Sequence, residues 1–87
     1  MIKIAVVEDD KKYRGQLVEF LDRFSKEKEY AIEITEFTDG DEIIEKYSAK
    51  YDIILMDIQM EFMDGIKAAQ HIRKLDTQVV IIFITST

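Results

Sequence analysis

The sequence predicts an α/β fold built on an open parallel sheet. Four short apolar runs alternate with amphipathic helical segments, and this alternation is typical of parallel βαβ units. Two of these runs, Ile2 to Val7 and Asp52 to Asp57, lead into or end in carboxylates. Because the carboxyl ends of neighbouring parallel strands meet at one edge of a sheet, ligands bind there. The same edge is therefore the expected functional site.

The four predicted strands differ in how their apolar residues are arranged. Strand one spans Ile2 to Val7, and strand two, Ala31 to Phe37, alternates apolar with polar residues. Alternation indicates a strand with one wet face, near a sheet edge. Strands three and four, Asp52 to Asp57 and Val79 to Ile84, are continuous apolar runs. We expect them to be interior strands covered on both faces.

Three helices are predicted between the strands. Helix one follows Asp10, a suitable N-cap, and helix two begins in the breaker cluster 38–41. Helix three begins at the turn formed by Asp64 and Gly65, where Asp64 is expected to cap the helix. The apolar residues expected to face inward are Tyr13, Leu17, Phe20, Leu21 and Phe24 in helix one, Ile43, Ile44 and Tyr47 in helix two, and Ile66, Ala69, Ile72 and Leu75 in helix three.

The topology follows from the handedness of the connections. Crossovers between parallel strands are almost always right-handed. With strand two at an edge, the simplest strand order is 2-1-3-4, with helix one on one face and helices two and three on the other. This is a flavodoxin-like winding, and its switch point lies between strands one and three.

Composition indicates one domain over residues 1–87. The chain is 47% hydrophobic, carries a formal net charge of -6 and has a pI near 4.7. Such a charge argues against binding to nucleic acid or an anionic membrane by this segment, because both would repel it. The chain has no cysteine, and its longest apolar run, Val79 to Ile84, is too short to span a bilayer. We expect no secretory leader before Met1. We expect a soluble cytoplasmic protein.

Acidic residues are the strongest chemical signal. Glu8, Asp9 and Asp10 follow strand one directly, and Asp57 ends strand three. Carboxylates that converge on one crevice repel each other unless a divalent cation lies between them. The sequence therefore predicts a Mg²⁺ site with Asp57 as the reactive group, while Asp10 is better placed to cap helix one.

Several motifs in order give the chain a family resemblance. They are the runs Val6–Asp10, Ile53–Met60, Met63–Ile66 and Ile82–Thr85. Together they resemble the receiver domain of bacterial two-component response regulators, most closely the receivers that precede a LytTR-type DNA-binding domain. The resemblance covers the whole chain. It implies a signalling switch and not an enzyme, with a sensor histidine kinase and a DNA-binding output domain as partners.

The resemblance also implies roles for individual residues. Asp57 would accept the phosphoryl group from a phosphohistidine. Asp9 would bind Mg²⁺ directly and Glu8 through water, with Asp57 and the main-chain carbonyl of Gln59 completing the protein ligands. The hydroxyl of Thr85 would move towards a phosphoryl oxygen when the domain switches.

Two departures from the family pattern stand out. Glu61 occupies a position that is usually proline in the loop after the phosphorylated aspartate. The chain also stops at Thr87, before the family's fifth strand with its lysine and its last two helices. For such a truncated chain we expect slow phosphorylation, and a homodimer or oligomer through the uncovered strand four.

Other functions remain open from sequence. A Mg²⁺-dependent phosphohydrolase of the haloacid-dehalogenase type also uses a strand-end aspartate, but it needs a second aspartate where Gln59 stands. A flavodoxin-like FMN binder needs a phosphate loop after strand one, where Glu8, Asp9 and Asp10 would repel phosphate. A fragment without a signalling role is the third alternative.

The lone His71 is expected on the surface, with neither a catalytic nor a metal role.

Overall fold

A computed structural model describes residues 1–85. In chain order the elements are β1 (Ile2–Val7), α1 (Lys11–Lys28), β2 (Ile32–Phe37), α2 (Gly40–Glu45), β3 (Ile53–Asp57), α3 (Gly65–Leu75) and β4 (Val80–Ile84). All seven predicted elements are present. Strands two, three and four begin one residue later than predicted, which is within the usual uncertainty of strand ends.

The four strands form one parallel sheet in the order β2-β1-β3-β4. Helix α1 packs on β1 and β2, while α2 and α3 pack on each other and against β2 and β3. This arrangement confirms the predicted flavodoxin-like winding. The alternating pattern of β2 also matches its position, because β2 is an edge strand.

The core lies between the sheet and the α2–α3 layer. Its fully buried side chains are Ala5, Val7, Ile43, Ile54, Met56, Ala68 and Ile72. Burying a side chain the size of isoleucine or methionine stabilises the fold by roughly 1.5–3 kcal/mol. This packed side of the sheet is therefore the rigid support for the strand ends that carry the acidic residues.

The opposite face of the sheet is only partly covered. Helix α1 leaves an apolar groove lined by Leu21 and Phe24 together with sheet residues that include Ile4, Leu55 and Ile82. On the same face, the β4 residues Val80 and Ile82 are 52% and 45% exposed. The apolar run of strand four thus belongs to an edge strand among residues 1–85. Its composition, which is typical of an interior strand covered on both faces, does not match this position, whereas the prediction that strand four is uncovered in this chain is confirmed.

The predicted inward stripe of α1 needs correction. Phe20 and Phe24 are 58% and 41% exposed, and no residue of the helix is fully buried. The half-buried stripe instead includes Arg14 and Val18. The reason is that α1 packs mainly on β1 and β2, so apolar side chains of the helix that point away from these two strands have no partner layer.

The predicted stripe of α3 is also partly wrong. Ile66 and Leu75 are exposed, whereas Ala69 and Ile72 are buried as expected. Gly65 and Ala68 take the remaining inward positions. Small residues there let the helix approach β3 and α2 closely, which larger side chains would prevent.

Aspartates cap all three helices. Asp10 accepts hydrogen bonds from the main-chain N–H groups of Lys12 and Tyr13, and Asp64 accepts one from Lys67. Asp39 caps α2. The capping roles predicted for Asp10 and Asp64 are confirmed. Within residues 1–85, no helix combines the length and apolar character needed to cross a bilayer.

Candidate metal centre

The register of the sheet places two carboxylates side by side. Val7 of β1 pairs with Met56 of β3, so Glu8 and Asp57 occupy neighbouring positions at the carboxyl ends of these strands. Both side chains are buried, with Glu8 0% and Asp57 1% exposed. Asp9 lies exposed beside them. The fold therefore brings together three of the four residues predicted as metal ligands, namely Glu8, Asp9 and Asp57.

The three carboxylates are close enough to share one cation. Each of Glu8, Asp9 and Asp57 offers an oxygen within 4.8 Å of the others. Among the described residues, Glu8 Oε1 and both carboxylate oxygens of Asp57 are buried without a hydrogen-bond partner. The second oxygen of Glu8 accepts a hydrogen bond from the main-chain N–H of Asp10 at 3.1 Å. Buried polar atoms are normally satisfied, so these three oxygens are suited to binding a cation.

Electrostatics at Glu8 support the same interpretation. Burial is the main factor that raises the pKa of Glu8, to about 7, and the neighbouring charge of Asp57 raises it further. The N–H of Asp10 acts in the opposite direction. Ionised carboxylates at this distance repel each other in a site with little water. A divalent cation would compensate both the repulsion and the desolvation.

The donor set fits Mg²⁺. This small, hard cation takes oxygen ligands, is usually held by one or two carboxylates, and keeps several waters. Glu8, Asp9 and Asp57 offer only carboxylate oxygens, and no sulfur or imidazole ligand lies among them. Asp9 is exposed, so water could reach an ion held by these carboxylates.

The loop after Asp57 is held by two carboxylates. Asp39 is buried and accepts hydrogen bonds from the N–H groups of Phe62 and Met63, at 3.1 and 2.9 Å. Asp9 Oδ2 accepts one from the N–H of Glu61 at 3.0 Å. Gln59 is exposed in this loop, two residues after Asp57. The role of its carbonyl as a metal ligand stays a prediction.

Gly65 lies directly against the site. A Cβ atom at this position would come within 2.1 Å of the main-chain oxygen of Asp57. The N–H of Gly65 donates to the carbonyl of Ile58 at 2.8 Å, which closes the loop onto α3. Only glycine permits this approach between the start of α3 and the end of β3.

Thr85 follows β4 at the same edge of the sheet. It is exposed, and its main-chain oxygen accepts a hydrogen bond from the hydroxyl of Tyr13 at 3.2 Å. This bond joins the start of α1 to the end of β4. The contact of the Thr85 hydroxyl with a phosphoryl group stays a prediction. His71 is exposed in α3, away from the strand ends, as expected.

Three residues with a role at the site were not predicted from sequence. Asp39 and Gly65 were interpreted only as parts of turns and caps, and Arg14 was not considered. The guanidinium of Arg14 donates to the main-chain oxygen of Glu8 at 2.7 Å and to Glu36 at 3.2 Å. The role of Arg14 could have been predicted from its position, since it lies one turn before Leu17 on the inward side of helix one and close to the acidic residues Glu8, Asp9 and Asp10.

Comparison with known proteins places the chain among bacterial response regulators. The model of the response regulator receiver domain family matches residues 4–87. The chain is 41% identical over 73 residues to the transcriptional regulatory protein ResD of Bacillus subtilis, covering 83% of the chain and 28% of ResD. It is 38% identical over 89 residues to accessory gene regulator protein A of Staphylococcus epidermidis, covering 98% of the chain and 37% of the relative. The chain thus spans well under half the length of these relatives.

Solved structures show the same fold. The response regulator TrrA of Thermotoga maritima, in complex with Mg²⁺ and BeF, has a TM-score of 0.84 and 32% identity, with 100% of this chain and 71% of TrrA covered. A complex of the histidine kinase ThkA with TrrA gives a TM-score of 0.76 and 34% identity, with 99% of this chain and 70% of TrrA covered.

Substitution of Gly65 tests the close packing under the site. We expect Gly65→Ala to destabilise the fold by about 1–3 kcal/mol, because the added methyl group meets main-chain atoms that cannot rotate away. Gly15→Ala is the matched control, since a Cβ there meets nothing within 4 Å in the middle of α1. It should stabilise the chain by up to about 1 kcal/mol. Thermal unfolding measures both, and equal stability of the two variants would contradict the packing argument.

The raised pKa of Glu8 predicts an unusual pH dependence. The folded state holds this proton more tightly than the unfolded chain, in which the pKa of Glu8 has its ordinary value of 4.5. Without metal, the contribution of Glu8 to stability should therefore fall as pH rises from 4.5 to about 7. Glu8→Gln should flatten this fall and be more stable than the parent above pH 7 in chelator. Denaturant unfolding at several pH values provides the measurement. A stability difference between the parent and Glu8→Gln that does not change over this pH range would refute the assignment.

Proposed function

Because the chain belongs to the response regulator receiver domain family, we propose that it accepts a phosphoryl group on Asp57 from a sensor histidine kinase. The family is one of signalling modules, and the proposed product is a switched state of the domain. The observation that carries the proposal is the buried Asp57 carboxylate, whose oxygens have no partner among the described residues and lie beside Glu8 and Asp9.

The proposed reaction is a phosphoryl transfer. A carboxylate oxygen of Asp57 forms a bond to phosphorus while the bond from phosphorus to the histidine nitrogen breaks, and the electron pair stays on the imidazole. The product is an acyl phosphate. Such transfers need little covalent help from the protein, and they depend on positioning and on charge stabilisation. The rigid end of β3 supplies the positioning for Asp57.

Glu8, Asp9 and Asp57 would hold a Mg²⁺ ion, with the carbonyl of Gln59 as the proposed main-chain ligand. When bound, the ion supplies positive charge that neutralises phosphoryl oxygens. Glu8 and Asp9 then act by fixing the ligand geometry, and the buried position of Asp57 limits access of water. We propose that Thr85 donates its hydroxyl to a phosphoryl oxygen, because it follows β4 at the same edge of the sheet.

Two enzymatic or binding alternatives gain no support. A haloacid-dehalogenase-type hydrolase needs an acid at the position of Gln59, and that residue is an exposed amide. An FMN site needs main-chain N–H groups directed at a phosphate after β1. The N–H of Asp10 is instead bonded to the carboxylate of Glu8.

The partners are inferred from the relatives. ThkA is a histidine kinase solved in complex with TrrA, so we propose a sensor histidine kinase as phosphodonor. ResD is named as a transcriptional regulatory protein, and both curated relatives are much longer than the matched segment. We therefore propose a DNA-binding output domain, of LytTR type, as the element that the receiver controls, and a cytoplasmic location.

We also propose that the 87-residue chain self-associates through β4. The outer edge of β4 has no neighbouring strand among residues 1–85, and Val80, Ile82 and Phe83 are each more than 40% exposed. An exposed apolar edge strand is a template for pairing with another chain. A second copy related by a two-fold axis would pair this edge and cover the apolar groove beside it.

Phosphorylation of Asp57 is tested by mass. Acetyl phosphate and Mg²⁺ should add one phosphoryl group to a chain that contains the complete receiver domain, and Asp57→Asn should remove the label. Asp64→Asn is the control, because Asp64 caps α3 and is not part of the carboxylate group. Labelling that persists in Asp57→Asn would place the acceptor elsewhere.

Mg²⁺ should stabilise the folded chain. Binding to the folded state alone adds about 2.7 kcal/mol at a concentration one hundred times Kd. We expect millimolar Mg²⁺ to raise the thermal midpoint of the parent and to leave Asp9→Ala unchanged. Asp10→Ala, which loses a helix cap but no proposed ligand, should retain the shift. Equal Mg²⁺ shifts in the parent and in Asp9→Ala would exclude Asp9 as a ligand.

Self-association is tested by light scattering at micromolar concentration. We expect the parent chain to be a dimer or larger, and Ile82→Lys to be shifted towards monomer, because a charged side chain on an edge strand opposes pairing. Leu75→Lys is the control, since Leu75 is an equally apolar exposed residue at the end of α3. A parent chain that is monomeric at 10.2 kDa would disprove pairing through β4.

A further inference from the structure

Two carboxylates accept hydrogen bonds from three consecutive main-chain N–H groups in the loop after Asp57. The N–H of Glu61 donates to Asp9 Oδ2, that of Phe62 to Asp39 Oδ2, and that of Met63 to Asp39 Oδ1. The three distances lie between 2.9 and 3.1 Å. One of the two acceptors, Asp9, belongs to the candidate metal centre. The other acceptor, Asp39, lies outside it.

Asp39 is a buried acid that the proposed phosphoryl transfer does not use. It is 4% exposed, and its Oδ1 also accepts a weak hydrogen bond from the N–H of Asp41 at 3.4 Å, which caps α2. Hydrogen bonds to an ionised carboxylate are roughly twice as strong as neutral ones. A residue whose only role was to cap a six-residue helix would not need to bind a loop more than twenty positions away.

The loop also packs closely against the start of α2, where Met63 lies next to Gly40. A Cβ atom at Gly40 would lie 2.9 Å from the main-chain oxygen of Met63. The absence of a side chain at Gly40 therefore lets the loop approach Asp39 closely enough for both hydrogen bonds. This places Glu61, two residues earlier, against Asp9.

The hydrogen bond from Glu61 matters for the metal centre because it uses one oxygen of Asp9. Asp9 Oδ2 accepts the Glu61 N–H, and this hydrogen bond restrains the orientation of a carboxylate that belongs to the candidate metal centre. Partners that orient a metal ligand in this way affect metal affinity, and their loss typically costs 10–100-fold. Proline at position 61 could not donate this bond, because its nitrogen carries no hydrogen.

We propose that Asp39 is a positioning residue for the metal centre. It holds the N–H groups of Phe62 and Met63, and so fixes the Glu61 N–H against Asp9. The inference rests on the proposed function in one respect, namely that Asp9 is a Mg²⁺ ligand. Its consequence is that Mg²⁺ affinity depends on a residue that touches neither the ion nor the phosphoryl group.

The first experiment compares Asp39→Asn with Asp64→Asn in the 87-residue chain. Both variants replace the carboxylate of a helix N-cap by an amide, but only Asp39 holds the loop. Calorimetric titration with Mg²⁺ should show about tenfold weaker binding for Asp39→Asn and parental affinity for Asp64→Asn. Hydrogen exchange of the amides of Phe62 and Met63 should accelerate only in Asp39→Asn. Parental Mg²⁺ affinity in folded Asp39→Asn would overturn the proposal.

The second experiment removes the Glu61 N–H without touching Asp39, so it decides the question even if Asp39→Asn does not fold. Glu61→Ala loses the side-chain charge and keeps the N–H, whereas Glu61→Pro loses both. We expect Glu61→Pro to bind Mg²⁺ several-fold more weakly than Glu61→Ala. Equal affinities would refute the orienting role of this bond.

These outcomes separate the inference from the proposed phosphotransfer. Absence of label on Asp57 together with the predicted loss of Mg²⁺ affinity would reject phosphotransfer and retain the positioning role. A labelled Asp57 together with unchanged Mg²⁺ affinity in Asp39→Asn and Glu61→Pro would reject the positioning role and retain phosphotransfer. A parent chain that binds no Mg²⁺ would reject the positioning role and the metal centre together.

Discussion

The structure depends on one unfavourable arrangement, the burial of carboxylates without partners at the ends of two adjacent parallel strands. Glu8 and Asp57 lie side by side because β1 and β3 are neighbours in register, and no hydrogen bond among residues 1–85 satisfies Glu8 Oε1 or the oxygens of Asp57. A buried carboxylate without a counter-charge is costly, and it responds by binding a proton or a cation. The raised pKa of Glu8 is the first response, and the proposed Mg²⁺ site is the second.

The unfavourable free energy of these buried carboxylates is offset by the packed side of the sheet. Ala5, Val7, Ile54 and Met56 are fully buried beneath α2 and α3, and they hold the two strands in fixed register directly before the acidic residues. Gly65 then allows α3 to start against the last residue of β3. Because neither strand end can move away, the repulsion between the carboxylates is relieved more easily by a ligand than by a change in the backbone.

The strands, their order and the acidic site were predictable because each leaves a local signal. Apolar runs mark the strands, Asp10 and Asp64 mark helix starts, and the carboxylates follow strand ends directly. The burial of Phe20, Phe24 and Ile66 was predicted wrongly because both helices carry apolar residues beyond their inward stripe, and periodicity cannot show which of them meets a partner layer. Asp39 was missed since its neighbours show only a helix cap. Its bonds to Phe62 and Met63 exist only after folding.

The departure at position 61 illustrates how a local substitution can change the way a site is held. From sequence, glutamate in place of proline shows only that the loop lacks the fixed φ angle of a proline. In the folded chain Glu61 contributes an N–H that proline lacks, and that N–H binds Asp9. Rigidity from a fixed φ angle is thus exchanged for a hydrogen bond to a ligand of the proposed metal centre. A bond of this kind is formed most favourably when Asp9 is ionised and correctly oriented, which are also the requirements for binding a cation. Loop order and metal binding should therefore strengthen each other in this chain.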